Sequence, residues 1–364
     1  MILTLTIGKI LSTIGTILLF VLILGTIVLV HEFGHFFFAK KCGIYVYEFS
    51  IGMGPKLWSK KDSKGETEYK ICLIPIGGYC QLAGEGLDED KKLPKNRLLQ
   101  NKTVWQRFLV MFFGAGNNFI LALIVLFFLG LVIGSPNTSS VIQGVVEGSP
   151  SYESGLMVGD KIVKVDDNKV KTLDDVQLYL ALATEETKIT VLRDNETKEI
   201  MVTPLTGDEY NEKGYSFGIN FTSERKYGVI AALKYTFTKS YALVRQICVT
   251  FKLLFNGTVS VSNLSGPIGI YTAVDTTATT SGSVGNTIAN LFYLMALLSI
   301  NVGFINLIPF PAFDGGRILF LVIEKIKGSP VKADTENLIH TIGFFILIAL
   351  IIFVSFNDII RLFK

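Results

Sequence analysis

The chain has 364 residues, 49% of them apolar, a net charge of +3 and a positive mean hydropathy. That balance excludes an ordinary soluble globule and points to an integral membrane protein, and the dispersed charge offers no basic tract for nucleic acid. Four cysteines are too few for a disulfide framework.

The first apolar run, 11–38, contains the charge-free stretch Thr13–Val30 and leads straight into His31-Glu32-Phe33-Gly34-His35. It is long enough to cross a bilayer. It lacks the basic start and small-residue cleavage site of a signal peptide. On a helix, His31 and His35 share one face, so two imidazoles could grip one zinc ion with Glu32 beside it as general base. The bland alternative is a pair of capped, solvated histidines. Val28, Leu29, Val30, Phe33, Phe36, Phe37 and Phe38 leave little solvent for that, and ionisable groups at membrane depth are costly unless they function.

Residues 44–82 change character. β-formers alternate with glycine around the polar turn Lys60–Gly65, as in hairpins. An apolar hairpin sheet here could dip towards the bilayer and offer an edge to an unwound peptide; a solvent-side hairpin packed on the helices is the alternative. Cys72 and Cys80 read as strand residues rather than metal ligands. With Cys42 they fall on the predicted cytoplasmic side, where thiols stay reduced, and Cys248 stands alone.

The second run, 105–133, carries Gly114 and Gly116 for close helix packing, and Asn117 and Asn118, which need polar partners in a span. Packing explains the glycines; a substrate contact is a second possibility for an asparagine. Residues 138–222 read as a soluble α+β module of short strands with an amphipathic helix at Thr172–Ala183. Residues 225–260 form an amphipathic or interfacial segment with Lys234, Lys239, Arg245 and Lys252, followed by a turn-rich re-entry at 263–270.

The third run, 285–308, is interrupted by Asn301, Gly303 and Asn306, and the fourth covers 338–360. Pro309 and Pro311 break the third helix and deliver Asp314 beside two glycines. Asp314 is the strongest candidate for a third zinc ligand; a solvated aspartate in a helix-ending turn is the alternative. His340, at the start of the fourth run, reads as an interfacial residue. Lysines in 39–104 and cations in 309–337 place those loops in the cytoplasm and both termini outside, with Arg361 and Lys364 dissenting.

HEFGH, the Asn306-x-x-Pro309-x-Pro311-x-x-Asp314-Gly315 motif, Asn263–Pro267 and Ile323–Val331 together resemble the site-2 protease family of intramembrane zinc proteases, in its bacterial envelope-stress form. The resemblance covers almost the whole chain. It implies a polytopic α-helical membrane protein of about four transmembrane helices with a membrane-associated β-hairpin sheet and an inserted PDZ-like domain. Its parts would be a first transmembrane helix with HExxH (1–43), a cytoplasmic-side β region (44–104), a second transmembrane helix (105–134) and one extracytoplasmic PDZ-like domain (138–222). An interfacial segment (225–284), a third transmembrane helix with its motif and cytoplasmic loop (285–337) and a fourth helix (338–364) would complete it. It implies Zn2+ held by His31, His35 and Asp314, Glu32 as acid/base, and a substrate-positioning role for Asn306. A peptide loop of the module would lie near Tyr215–Ile219, a poor match to the usual carboxylate loop, so binding of C-termini and gating by size both stay open.

The family's substrates are single-span membrane proteins, such as anti-sigma factors or signal-peptide remnants, trimmed first by a site-1-type protease; its bacterial members lie in the cytoplasmic membrane. A non-catalytic PDZ-bearing scaffold is the rival reading, and it has no need of Glu32 or three ligands. A metal transporter would carry ionisable residues in several spans, and few are present.

Overall fold

The computed structural model describes residues 2–85, 91–222 and 225–362; Lys364 and the 86–90 part of the 44–104 region lie outside these. Among the described residues, four helices are long and apolar enough to cross a membrane: Leu11–Lys41, Val104–Val132, Val284–Leu307 and Ala333–Leu362. The shortest rises about 36 Å at 1.5 Å per residue, enough for a hydrocarbon core of about 30 Å.

The chain forms two compact units. In the first, α1 (Ile2–Lys41) is followed by β1 (Val46–Lys61) and β2 (Glu68–Leu82), then by α2 (Val104–Val132), which runs on into the second unit. Bulges let Glu48–Ile51 of β1 pair with Gly78–Gln81 on one edge and with Glu68–Ile71 on the other. Gly52 makes the bend with φ +81°; a Cβ there would lie 2.5 Å from the Ile74 carbonyl oxygen. α1 and α2 approach closely, since a Cβ on Gly34 would sit 1.9 Å from the Phe113 carbonyl oxygen. Phe38 and Phe113 stack beside this crossing with centroids 3.9 Å apart.

The second unit holds β3 (Gly144–Val145), α3 (Pro150–Glu153), β4 (Lys161–Val165), β5 (Asn168–Lys169), α4 (Leu173–Leu182), β6 (Thr187–Arg193), β7 (Glu196–Val202), α5 (Gly207–Lys213) and β8 (Ile219–Asn220). Its sheet order is β5-β4-β6-β7, with a separate β3–β8 pair. Alternating residues such as Ile189 and Val191 bury one face of that sheet against Val176 of α4. Thr172 and Asp175 cap α4 reciprocally. Tyr215–Ile219 leads into β8 and puts Phe217 in this core. The long α6 (Val229–Phe255) closes the unit, pairing Lys239 with Asp174 and Arg245 with Asp175.

Back in the first unit come α7 (Pro267–Thr280), α8 (Val284–Leu307), α9 (Asp314–Lys327) and α10 (Ala333–Leu362). Three expectations need correction here. The turn-rich re-entry becomes a helix: Pro267 occupies the first helical position of α7, and the free amides of Gly266 and Gly269 donate to Asp358 of α10 at 2.9 and 2.8 Å. The loop expected over 309–337 contains α9, which ends at Gly328 in the left-handed conformation. α8 also runs unbroken through Asn301, Gly303 and Asn306, because Gly303 lets the helix lie against α2: a Cβ there would be 3.0 Å from the Ala115 carbonyl oxygen.

Candidate metal centre

His31, Glu32 and His35 sit on α1 beside the α2 crossing. Asp314 opens α9, where the positive end of the helix favours a carboxylate. Pro309 and Pro311 stop α8, and the chain folds back tightly over the start of α9. A Cβ on Gly315 would lie 2.2 Å from the Ile308 carbonyl oxygen, and one on Gly316 would lie 2.5 Å from that of Phe310. Side chains at either position would push Asp314 away.

The Nε2 atoms of His31 and His35 are 3.3 Å apart, and Asp314 Oδ2 is 3.3 Å from each. Among the described residues, His31, His35 and Asp314 form the group whose donor atoms could hold one metal ion. Four-coordinate zinc with bonds of about 2.0–2.1 Å separates neighbouring donors by about 3.3–3.4 Å along a tetrahedral edge. The triangle therefore fits zinc and leaves the fourth corner open. Asp314 Oδ2 is also buried without a hydrogen-bond partner, a state that a cation relieves.

The outer nitrogens set the tautomers. His35 Nδ1 lies 2.9 Å from the Val110 carbonyl oxygen, so Nδ1–H donates there and Nε2 keeps its lone pair. His31 Nδ1 faces the Asn118 amide at 3.4 Å, and Asn118 Oδ1 is otherwise buried without a partner. The amide nitrogen Nδ2 is the atom facing the ring; turning the amide over would bring Oδ1 there, where it accepts the Nδ1 proton and leaves His31 Nε2 its lone pair. Ser299 in turn donates to the Asn118 carbonyl oxygen at 2.8 Å. Asn118 is thus a functional candidate, and the signal for it in the sequence is an amide inside an apolar span.

Glu32 lies against β2. The Cys80 backbone amide is its partner, and its Cγ is 3.8 Å from where a Gly78 Cβ would stand. Asn306 is half-buried in the last turn of α8 and makes no side-chain hydrogen bond to a described residue; the structure does not bring it into the donor triangle. Asn117 donates to the Val30 carbonyl oxygen at 3.3 Å. Arg317 Nη1, one turn after Asp314, donates to Glu85 Oε1 at 2.7 Å and ties α9 to the end of β2. All four cysteines are free thiols.

Apolar helices long enough to span, with a histidine–histidine–carboxylate triangle and a glutamate at its side, define a membrane-embedded metallohydrolase architecture. Residues 19–350 match the model of peptidase family M50. A protein of Clostridium perfringens predicted to be a zinc metalloprotease is 37% identical, across 92% of this chain and 96% of its own length. The regulator of sigma-W protease RasP of Bacillus subtilis is 32% identical across 96% of this chain and 99% of its own. The zinc metalloprotease RasP of Bacillus licheniformis is also 32% identical, across 96% of this chain and 100% of its own. The chain belongs to peptidase family M50, the site-2 protease family. It is an integral-membrane zinc metalloprotease, with Zn2+ as its cofactor.

Proposed function

We propose that this protease hydrolyses peptide bonds within the transmembrane segments of single-span proteins, in regulated intramembrane proteolysis. In this reading His31, His35 and Asp314 hold the zinc, and Glu32 is the general acid/base. The supporting observation is the triangle of donors 3.3 Å apart with Glu32 next to it. Bound zinc would polarise the scissile carbonyl and make water acidic enough to ionise near pH 7. Glu32 takes a proton from the attacking water and delivers it to the leaving amine. Val110 and Asn118 hold both imidazoles in the tautomer that turns Nε2 inward.

A helical substrate hides its carbonyls in hydrogen bonds and must unwind to be cut. The Gly78–Gln81 stretch pairs with β1 along one edge, and its other side lies by Glu32, so an extended substrate added as a strand would bring its backbone to the site. A Cβ on Gly25 would be 3.4 Å from the Pro75 carbonyl oxygen. The sheet therefore reaches about 9 Å further along α1 than His31, at 1.5 Å per residue. Ile51, Met53, Leu57, Trp58, Leu73 and Ile74 are exposed there, which suits a sheet dipped into lipid. Asn306 is a candidate substrate contact by its motif alone.

The 138–222 module is a single PDZ-like domain outside the cytoplasm, on the same side as both termini. α6, with Ile230, Leu233 and Phe237 exposed along one side, rests at the membrane surface. The bacterial cytoplasmic membrane is the expected location. Substrates would be anti-sigma factors or signal-peptide remnants already shortened by a site-1-type protease; the sigma-W role in the name of the Bacillus subtilis relative supports the first class.

The test is cleavage of a tagged single-span substrate by purified protein in detergent. Chelator-sensitive cutting by wild type and none by Glu32→Gln supports the reading. Protein that binds no zinc would overturn it.

A further inference from the structure

α10 carries a histidine for which the reaction above has no use. His340 Nδ1 accepts the backbone N–H of Ala312 at 3.0 Å. Its proton therefore sits on Nε2, which is buried without a hydrogen-bond partner among the described residues. The ring lies against Phe320, with centroids 5.6 Å apart. An unpaired buried donor is a cost that a plain packing residue would avoid.

The Ala312 amide is an unusual thing to hold. Ala312 has φ +83°, a region that residues with a Cβ avoid. It stands two residues before Asp314, in a turn whose Pro309 and Pro311 have no amide proton to fix it. One turn beyond His340, Gly343 lets α10 press on the same turn: a Cβ there would be 2.4 Å from Pro311 Cβ and 2.6 Å from its carbonyl oxygen. α10 thus clasps consecutive residues just upstream of Asp314, by contact at Pro311 and by a hydrogen bond at Ala312.

We propose that His340 is a positioning residue for the metal centre: its neutral imidazole holds the left-handed Ala312 peptide and so aims Asp314 Oδ2 at His31 and His35. The inference rests on the reading of Asp314 as a zinc ligand. Without the acceptor, the Ala312 N–H is orphaned in an apolar setting, the turn relaxes towards ordinary backbone angles, and the carboxylate swings off the triangle.

The experiment measures zinc affinity of the full chain by competition with a chromophoric chelator, beside the melting temperature. His340→Leu weakens zinc binding roughly 10- to 100-fold, the scale for losing an orienting partner of a ligand. His340→Asn stays near wild type, because its Oδ1 takes the place of Nδ1. His340→Gln stays weak, because its oxygen takes the place of Nε2. Should His340→Leu fail to fold, the Asn and Gln variants carry the comparison between them. Asp314→Ala separates the two readings. Zinc lost in Asp314→Ala but retained in His340→Leu overturns the positioning role alone. Equal loss in His340→Asn and His340→Gln reduces His340 to a packing residue and also overturns it. Full affinity in Asp314→Ala removes the ligand reading and this inference with it.

Discussion

Gly114 of α2 and His35 of α1 touch so closely that a Cβ at Gly114 would stand 2.2 Å from Nε2 and 2.3 Å from Cε1 of the imidazole. The Val110 carbonyl oxygen, one turn earlier on the same helix, takes the other ring nitrogen at 2.9 Å. Bare backbone of α2 is therefore the wall that shapes this side of the centre. Gly114→Ala displaces His35 and should drop bound zinc well below one per chain, with proteolysis falling by 10²-fold or more, the scale of an approximately 1 Å misplacement. Gly116→Ala is the control: its nearest neighbours are side-chain atoms of Phe112 and Phe113 at 3.4 Å. Equal zinc in the two variants would show that the wall is not needed.

Glu32→Gln keeps size and polarity but cannot accept the water's proton. Zinc stays bound, and the cleavage rate falls about 10²- to 10⁴-fold, the range for general acid–base catalysis. Metal analysis beside single-turnover cleavage checks both halves.

Asn118→Leu removes the acceptor for His31 Nδ1–H while filling similar space. Zinc affinity should fall roughly 10- to 100-fold, and Asn118→Asp, which keeps an oxygen there, should recover most of it. Wild-type affinity in the leucine variant would reduce Asn118 to a packing residue.

Asp160 lies outside the spans and gives a pH test of the second unit. Burial raises its pKa, but Arg193, donating from Nε and Nη2 at 2.6 and 2.7 Å, and the Met157 N–H at 3.0 Å outweigh that and hold it below the ordinary carboxylate value. A carboxylate lowered in the folded state contributes stability above its unfolded pKa of about 3.9 and loses it as pH falls through the folded value. Asp160→Asn should therefore destabilise β4 and β6 at pH 7, by about 1.5–3 kcal/mol for hydrogen bonds to a charged group, and much less in acid, once pH has fallen through the folded pKa of Asp160. Hydrogen exchange in those strands measures the difference. The same loss at both pH values would show that the charge is irrelevant.

HEFGH was legible in the sequence because helical period alone puts His31 and His35 on one face, and the apolar flanks remove the solvated alternative. Asp314 was legible because two prolines stop a helix just before a carboxylate. The contact of His340 was not: its partner is a backbone amide 28 residues earlier, and backbone donors leave no mark in a sequence. α9 was hidden by Gly315 and Gly316, which look like loop residues but are there because the returning turn leaves no room for a Cβ. Ile318, Leu321 and Val322 keep helical spacing and were the available signal. α7 was hidden for a similar reason, its cap being Asp358 from a distant helix.

The two histidines belong to α1 and Asp314 to α9, with the hydrogen bond to its turn supplied by α10. With Asp314 as the third ligand, a ribosome making this protein releases the histidines, the sheet and the whole second unit before any competent centre can exist. On that ligand assignment, chains still emerging at the insertion machinery carry no complete donor set until α9 has been made.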